Sequence, residues 1–146
     1  METKFNFKSS VCTSHEQSER LLALGLKKET ADCYWFYCDI AKEWKCTILS
    51  STQVFKDYPT TVIPAWSLWR LIEMLPPSIK DGYHYSLIYD IHRDAIGYIC
   101  FANGGLQRPY NRLLWDTQST DPFDNIIVCI EWLIKEGCFN KEYLEE

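Results

Sequence analysis

Two pairs of strand-like segments, each joined by a short polar connection, constrain the fold of this chain more than any other feature. The first pair is CYWFYCDI, Cys33 to Ile40, followed by KCTILSS, Lys45 to Ser51, and it is rich in aromatic and β-branched residues. The second pair is HYSLIYDI, His84 to Ile91, followed by AIGYICFA, Ala95 to Ala102. Because each connection is too short for a crossover, the sequence predicts two antiparallel β-hairpins.

Three helices are predicted around the hairpins. The first lies in TSHEQSERLLALG, which ends at Gly25, a residue suited to the left-handed cap of a helix C-terminus. Two residue pairs at its start have capping-box spacing: Thr13 with Glu16, and Ser14 with Gln17. The second helix is predicted over IPAWSLWRLIEMLPP, Ile63 to Pro77, between its proline boundaries. The third begins with Asp121 at the N-cap and Pro122 in the first turn, and it runs to Gly137.

The order of these elements predicts one α+β domain spanning residues 1–146. We expect an antiparallel sheet of about four strands, made of the two hairpins, with the three helices packed on it. The segments Thr52 to Val62 and Asn103 to Thr120 are predicted to be loops, the second because it contains Gly104-Gly105 and Pro109. A chain of 146 residues with 47% hydrophobic residues fits a single packed domain that needs no disulfide or metal.

The charge balance disfavours nucleic acid and suits a protein partner. Fifteen basic and twenty acidic residues give a net charge of −5, which opposes a broad phosphate-binding surface and complements a basic protein. No membrane association is predicted, since METKFNFKSS has no apolar signal region and no run approaches the roughly 18 apolar residues of a membrane span. We therefore expect a cytoplasmic protein. In that reducing compartment the seven cysteines are predicted to be free thiols.

The cysteines and the first histidine raise the question of a metal site. Cys12 and His15 are close in sequence before the first helix, and this spacing can seed a metal site or a Cys–His dyad. Cys33 and Cys38 point to opposite faces of a regular strand, although Cys38 can face Cys46 across the first hairpin. The alternative is that the cysteines serve as small apolar side chains. Because no tight C-x2-C pair occurs and no phosphate-loop or dinucleotide motif is present, we predict no metal and no cofactor.

A histidine and two carboxylates end the third predicted strand. Asp90, His92 and Asp94 alternate there and can converge as metal ligands or as an acid–base pair, because histidine titrates near neutral pH. On that interpretation the chain is a hydrolase-like enzyme. The alternative, which the pattern favours, is the solvated face of an antiparallel strand that ends in a polar turn.

A segment with glycines and arginines offers a different kind of site. NGGLQRPYNRLLW contains Arg108, Tyr110 and Arg112, and two arginines beside a tyrosine can contact a carboxylate, a phosphate or an RNA base. The alternative is a surface loop anchored by its hydrophobic end. The acidity of the whole chain disfavours a nucleic-acid accessory protein.

Two tryptophans lie where helical periodicity requires polar side chains. Trp66 falls beside Arg70 on the polar side of the second helix, whereas Trp69 falls on its apolar side. Trp132 lies on the polar side of the last helix, away from its predicted apolar stripe of Phe123, Ile126, Ile127, Ile130, Leu133 and Ile134. Exposed tryptophans are typical of interfaces, so the candidate partner-binding residues are Trp66, Arg70, Met74, Val128 and Trp132. The alternative is that a loop or a chain end covers both tryptophans.

Three segments of the chain resemble one family. PAWSLWRLIEMLP, VCIEWLIKEGCFNKEYL and HEQSERLLALGLKKETAD are similar to small uncharacterised proteins encoded in prophage-like and mobile regions of gut bacteria. The resemblance covers both ends and the middle of the chain, and the hairpins are less similar. It implies an intracellular accessory protein of a mobile element, and it implies neither an activity nor any site residue.

The leading hypothesis is a small non-catalytic intracellular protein that binds a protein partner or a second copy of itself through the tryptophan surface. We expect binding rather than catalysis. The hydrolase near Asp90 and His92 is one alternative. A nucleic-acid accessory protein that uses Arg108 to Arg112 is the other.

Overall fold

The computed structural model describes residues 10–81, 83–90, 95–101, 109–113 and 119–146, and it has the predicted α+β fold. Helices and strands are mixed along the chain. In order they are α1 His15–Ala23, β1 Cys33–Cys38, β2 Glu43–Ile48, α2 Gln53–Asp57, β3 Val62–Ala65, α3 Leu68–Met74, β4 Ser78–Asp81, β5 Tyr83–Asp90, β6 Ala95–Phe101, β7 Pro109–Leu113 and α4 Pro122–Lys135.

The strands form two antiparallel sheets rather than one. The first sheet has the order β2-β1-β3, and the second has the order β4-β5-β6-β7. Both predicted hairpins are confirmed: β1 pairs with β2, with Trp35 opposite Cys46, and β5 pairs with β6, with Ile88 opposite Gly97. The two hairpins thus lie in separate sheets and not in one sheet of about four strands. Each hairpin pairs with additional strands at its edges.

The strands that the sequence did not indicate are edge strands. β3 contains Pro64, which has no backbone N–H to donate, and such a residue is tolerated at the edge of a sheet. β7 begins at Pro109, inside the segment predicted to be irregular. Edge strands are short and carry few alternating apolar residues, so period-two patterns indicate them poorly.

Local capping signals are confirmed at both long helices. At α1 the Ser14 hydroxyl accepts a hydrogen bond from the Gln17 backbone N–H (3.2 Å), and the Gln17 side chain accepts one from the Ser14 N–H (3.0 Å). Gly25 adopts a left-handed φ of 97° directly after the helix. At α4 the Asp121 carboxylate accepts from the Phe123 N–H (2.9 Å). The capping box therefore uses Ser14 with Gln17, and Thr13 is free for another role.

The main hydrophobic core is organised by α4, which contacts α1, α3 and β6. The apolar stripe predicted for this helix is confirmed, and its fully enclosed members are Ile126, Ile127, Ile130 and Leu133. These four side chains recur at helical spacing, so one face of α4 enters the core and the other carries charge. In the described part of the chain, no helix is both long and apolar enough to cross a lipid bilayer.

The cysteines differ from the prediction of seven free thiols. The structure joins Cys12 and Cys46 as a disulfide, which links the segment before α1 to β2. Across the first hairpin Cys38 lies opposite Glu43, so the predicted pairing of Cys38 with Cys46 is wrong. The remaining cysteines whose side chains are described are free thiols: Cys33, Cys38, Cys129 and Cys138. A contact between chain segments separated by 34 positions leaves no periodic signal in the sequence.

Buried thiols should make the stability fall at alkaline pH. Burial raises the pKa of Cys129 from its ordinary 9.0 to about 12, and burial together with Asp32 raises that of Cys33 to about 11. Between pH 9 and these values the unfolded chain loses thiol protons that the folded chain keeps. The unfolded state then binds fewer protons, so the contribution of these thiols to the free energy of unfolding is constant below about pH 9 and falls above it. Between pH 9 and its own pKa, Cys129 contributes a slope of about 1.4 kcal/mol per pH unit.

Urea denaturation between pH 7 and 11 measures this slope. We expect Cys129→Ala to flatten the alkaline decline relative to the wild type, whatever cavity cost it carries at neutral pH. Cys138→Ala, which removes a thiol nearer the surface, serves as the control. An identical alkaline slope in wild type and Cys129→Ala would contradict the role of this thiol.

Candidate functional site

The structure contradicts the partner surface predicted around Trp66. Trp66 is 0% exposed and Met74 is 4% exposed, so neither can contact a partner in the folded chain. The prediction was wrong because the chain stays extended through β3, and α3 begins only after Ser67, whose hydroxyl caps the Arg70 N–H (3.1 Å). Trp69, which the helical pattern assigned to the core, is instead 68% exposed.

The chain itself covers Trp66. Its indole N–H donates to the Thr30 hydroxyl (3.0 Å), and its backbone N–H donates to the Thr13 hydroxyl (3.1 Å). Its backbone carbonyl accepts from the Thr13 N–H (2.9 Å). The segments that bond to Trp66 are therefore the residues before α1 and the short 3-10 helix Lys28–Thr30 after it, and the alternative of an internally covered tryptophan is correct.

The other three predicted partner residues are half-buried. The partly buried side chain of Trp132 packs against residues of the main core. Arg70 lies in the first turns of α3, and Val128 lines a polar cleft of about 610 Å³ between the N-terminal ends of α1 and α4. Because Trp66 and Met74 are enclosed, the five residues do not form a common exposed surface.

The polar cleft beside Val128 has a structural explanation. The Gln17 side-chain amide donates to the carboxylates of Asp121 and Asp124, at 2.9 Å each. The Arg20 guanidinium also pairs with Glu131 on α4 at 3.0 Å. These contacts join the beginnings of two helices, so the polar groups of this cleft act mainly on one another.

Two predicted sites fall on parts of the chain that the structure does not describe. His92 and Arg108 lie outside the described residues. Asp90 belongs to β5, and Tyr110 and Arg112 belong to β7, but their side chains lie outside the described part. The hydrolase-like and nucleic-acid hypotheses therefore stay predictions.

Cys12 and His15 have separate surroundings. Cys12 is buried and bonded to Cys46. The His15 ring packs edge-on against Trp35 and Trp44, with centroid distances of 5.1 and 4.8 Å. Among the residues that the structure describes, no three histidine, cysteine or acidic side chains are grouped so as to hold a metal ion. These contacts favour the interpretation of Cys12 and His15 as packing residues.

A surface cleft lies between the three-stranded sheet and α2, and we name it the aromatic cleft. Its volume is about 420 Å³, within the roughly 300–1,000 Å³ range of sites that hold small molecules or side chains. Its lining residues are Tyr34, Phe36, Tyr37, Asp39, Val54, Tyr58, Thr61 and Val62.

Two elements build the walls of the aromatic cleft. Strand alternation places Tyr34 and Phe36 on the same face of β1, with ring centroids 6.0 Å apart. The opposite wall is the end of α2, which the buried Phe55 anchors to the core. Tyr58 caps this short helix, its N–H donates to the Val54 carbonyl (2.9 Å), and its side chain is 55% exposed. The cleft thus presents aromatic rings that the fold does not enclose.

Asp39 supplies the charge of the aromatic cleft. It directly follows β1 in the hairpin turn, and among the lining residues that the structure describes it is the only ionisable one besides the tyrosines. Aspartate is common in turns because its carboxylate accepts local backbone hydrogen bonds. Within the described chain the Asp39 carboxylate accepts none and forms no ion pair. An exposed carboxylate beside aromatic rings is therefore available to a ligand.

The sequence contained part of this site. Tyr34, Phe36 and Tyr37 lie in the segment predicted to be a strand, and this run of aromatic residues is visible in the sequence. Val54 and Tyr58 lie in the segment predicted to be a loop, and no periodic signal indicates a helix of five residues. The aromatic residues of β1 were thus the signal available in the sequence. The opposite wall of the cleft, formed by the end of α2, was not predictable.

No family model matches the sequence, and comparison with curated proteins and with solved structures also finds no match.

Proposed function

We propose that this chain is a small non-catalytic binding protein, an accessory protein of a prophage or other mobile element of a gut bacterium. The aromatic cleft is the site at which it holds a protein partner. The single observation that carries the proposal is a cleft of about 420 Å³ with four aromatic side chains in its lining. The setting is supported by the resemblance of three segments of the chain to proteins of such elements.

The chemistry of the lining supports binding rather than catalysis. The polar groups of its described residues are tyrosine and threonine hydroxyls and one carboxylate, with no histidine, cysteine or lysine among them. Nucleophilic catalysis requires a nucleophile within hydrogen-bonding reach of a base, and no two lining side chains in the described part of the chain form such a pair. Tyrosine is enriched at interface hot spots because it combines a large apolar surface with a polar group.

Capture of the partner from an extract of the native host tests this proposal. The wild-type chain, Tyr58→Ala and Trp69→Ala would each be immobilised, and the bound proteins would be quantified by mass spectrometry. We expect Tyr58→Ala to lower recovery of the partner by roughly ten-fold or more, since central aromatic residues of interfaces contribute about 2 kcal/mol or more.

Trp69→Ala is the matched control. Trp69 is also exposed and aromatic, but it lies on α3 and not in the cleft lining. Both substitutions remove an exposed ring, so both variants should unfold near the wild-type midpoint. Equal recovery of every bound protein by wild type and Tyr58→Ala would contradict the proposed site. Loss of partner recovery with Trp69→Ala alone would instead place the binding site on α3.

A further inference from the structure

We infer that the aromatic cleft accepts the positively charged end of a basic side chain, lysine or arginine, from the protein partner. This inference rests on the proposed function and names the chemistry of its ligand. It depends on three properties of the cleft: the kind of rings in its walls, the sign of its charge, and the free state of its carboxylate.

The rings favour a cation over a neutral apolar group. The face of a tyrosine or phenylalanine ring carries negative electrostatic potential, and it attracts ammonium and guanidinium groups within about 6 Å of the ring centre. Tyr34 and Phe36 are tilted by 46° with centroids 6.0 Å apart, so they do not occupy each other's faces in a close stack. Tyr58 stands on the opposite wall and is 55% exposed. A group between the walls can therefore contact several rings.

The charge of the lining has one sign. Asp39 contributes a carboxylate, and none of the described lining residues is a lysine or arginine that would neutralise it. Within the described chain this carboxylate has no hydrogen-bonding or ion-pairing partner. The whole chain carries a net charge of −5, which adds a long-range attraction for a basic partner. Asp39 would repel an anionic ligand inside the cleft, and the net charge of the chain would repel it at long range.

A basic side chain fits this combination better than a small free cation. Lysine and arginine have apolar stems that can lie along Val54, Val62 and the rings while the charged end reaches Asp39. The cleft is open to solvent at Tyr58 and Asp39, so the backbone of the partner can remain outside.

Three capped peptides of the form acetyl-Gly-Gly-Xaa-Gly-Gly-amide test the inference, with lysine, arginine or norleucine at Xaa. Norleucine keeps the apolar stem and removes the charge. Titrations followed by amide chemical shifts of the ¹⁵N-labelled protein give the Kd of each peptide at low and high salt. We expect the better basic peptide to bind at least about five-fold more tightly than the norleucine peptide, with the preference declining as salt rises.

Two isosteric variants locate the effect. Asp39→Asn should reduce the preference for the basic peptide to within about two-fold, because only the charge of the cleft changes. Asp57→Asn is the control, since Asp57 is the adjacent carboxylate on α2, lies outside the lining, and bonds to Gln53 (3.0 Å). Tyr58→Leu should weaken the basic peptide while preserving binding of norleucine.

The outcomes separate this inference from the proposed function. Equal binding of the basic and norleucine peptides would overturn the inference that the cleft prefers a positively charged side chain. The cleft would then remain a candidate site for a protein partner. Binding of choline, added as a fourth probe, without binding of either basic peptide would overturn the partner side chain in favour of a small free cation. If none of the probes binds, the inference that the ligand is a basic side chain is overturned. The proposed function is tested separately, by the capture experiment with Tyr58→Ala.

Discussion

Trp66→Ala is expected to lower the free energy of unfolding by about 3–5 kcal/mol. The indole is fully enclosed in the main core, so its removal loses a large apolar contact area and leaves a cavity. The hydrogen bond from the indole N–H to Thr30 is lost as well. A domain of this size has a total stability of about 5–15 kcal/mol, so the variant should be partly unfolded under mild denaturing conditions. Urea or thermal unfolding followed by circular dichroism measures the change.

Trp69→Ala is the control for this experiment, because it makes the same substitution three positions later. Trp69 is exposed, and its indole N–H donates to Glu73 on the same helix (2.9 Å). We expect a change of less than about 0.5 kcal/mol, as for most surface substitutions. The sequence pattern predicts the opposite order, with Trp69 in the core and Trp66 outside. A larger loss for Trp69→Ala than for Trp66→Ala would therefore contradict the structure in favour of the helical pattern.

The features that the sequence predicted correctly are set by neighbours in the chain. The capping box of Ser14 and Gln17, the left-handed Gly25 and the cap at Asp121 each involve atoms within a few residues of one another. The two hairpins are also local, because a short connection leaves a strand few alternatives to pairing with its neighbour. The apolar stripe of α4 follows from periodicity over fourteen residues, which is long enough to be unambiguous.

The start of α3 shows why the rest was not predictable. The segment from Ile63 to Ser67, just before α3, also fits a helical pattern. The local signal therefore favours one long helix that begins at Ile63. Pairing with β1, where Cys33 lies opposite Ala65, instead holds this segment extended. The Asp32 carboxylate then accepts the Ser67 N–H (2.8 Å) and fixes the N-cap. Both interactions come from residues more than thirty positions away, and they reverse the positions of the two tryptophans.

The aromatic cleft was only half predictable for the same reason. β1 carries its aromatic residues in a pattern that the sequence displays directly. The wall formed by Val54 and Tyr58 depends on how a five-residue helix is held by Phe55 in the core. A helix this short has little stability of its own, so tertiary packing rather than local propensity decides that it forms. A site between two such elements appears only once the chain is folded.

Thr13→Val is expected to destabilise the chain by about 1–3 kcal/mol, although valine has nearly the same shape. Thr13 is fully buried, and its hydroxyl accepts the Trp66 N–H (3.1 Å) and shares a hydrogen bond with the Ser18 hydroxyl (2.7 Å). Its carbonyl also accepts the indole N–H of Trp35 (2.8 Å), and valine leaves that bond intact. The substitution therefore leaves a buried backbone N–H and a buried hydroxyl without this partner, and each uncompensated group has a cost.

A double-mutant cycle with Ser18→Ala separates the two bonds. Removing both hydroxyls leaves no unpaired partner between them, so Thr13→Val with Ser18→Ala should cost less than the sum of the single changes. What remains of the Thr13→Val effect in the Ser18→Ala background is the contribution of the bond to Trp66. Thr47→Val, at an exposed threonine of β2, controls for the change of residue type. If Thr13→Val is as mild as Thr47→Val, the hydroxyl does not hold Trp66 in place. The burial of that tryptophan would then rest on apolar packing and its indole bond alone.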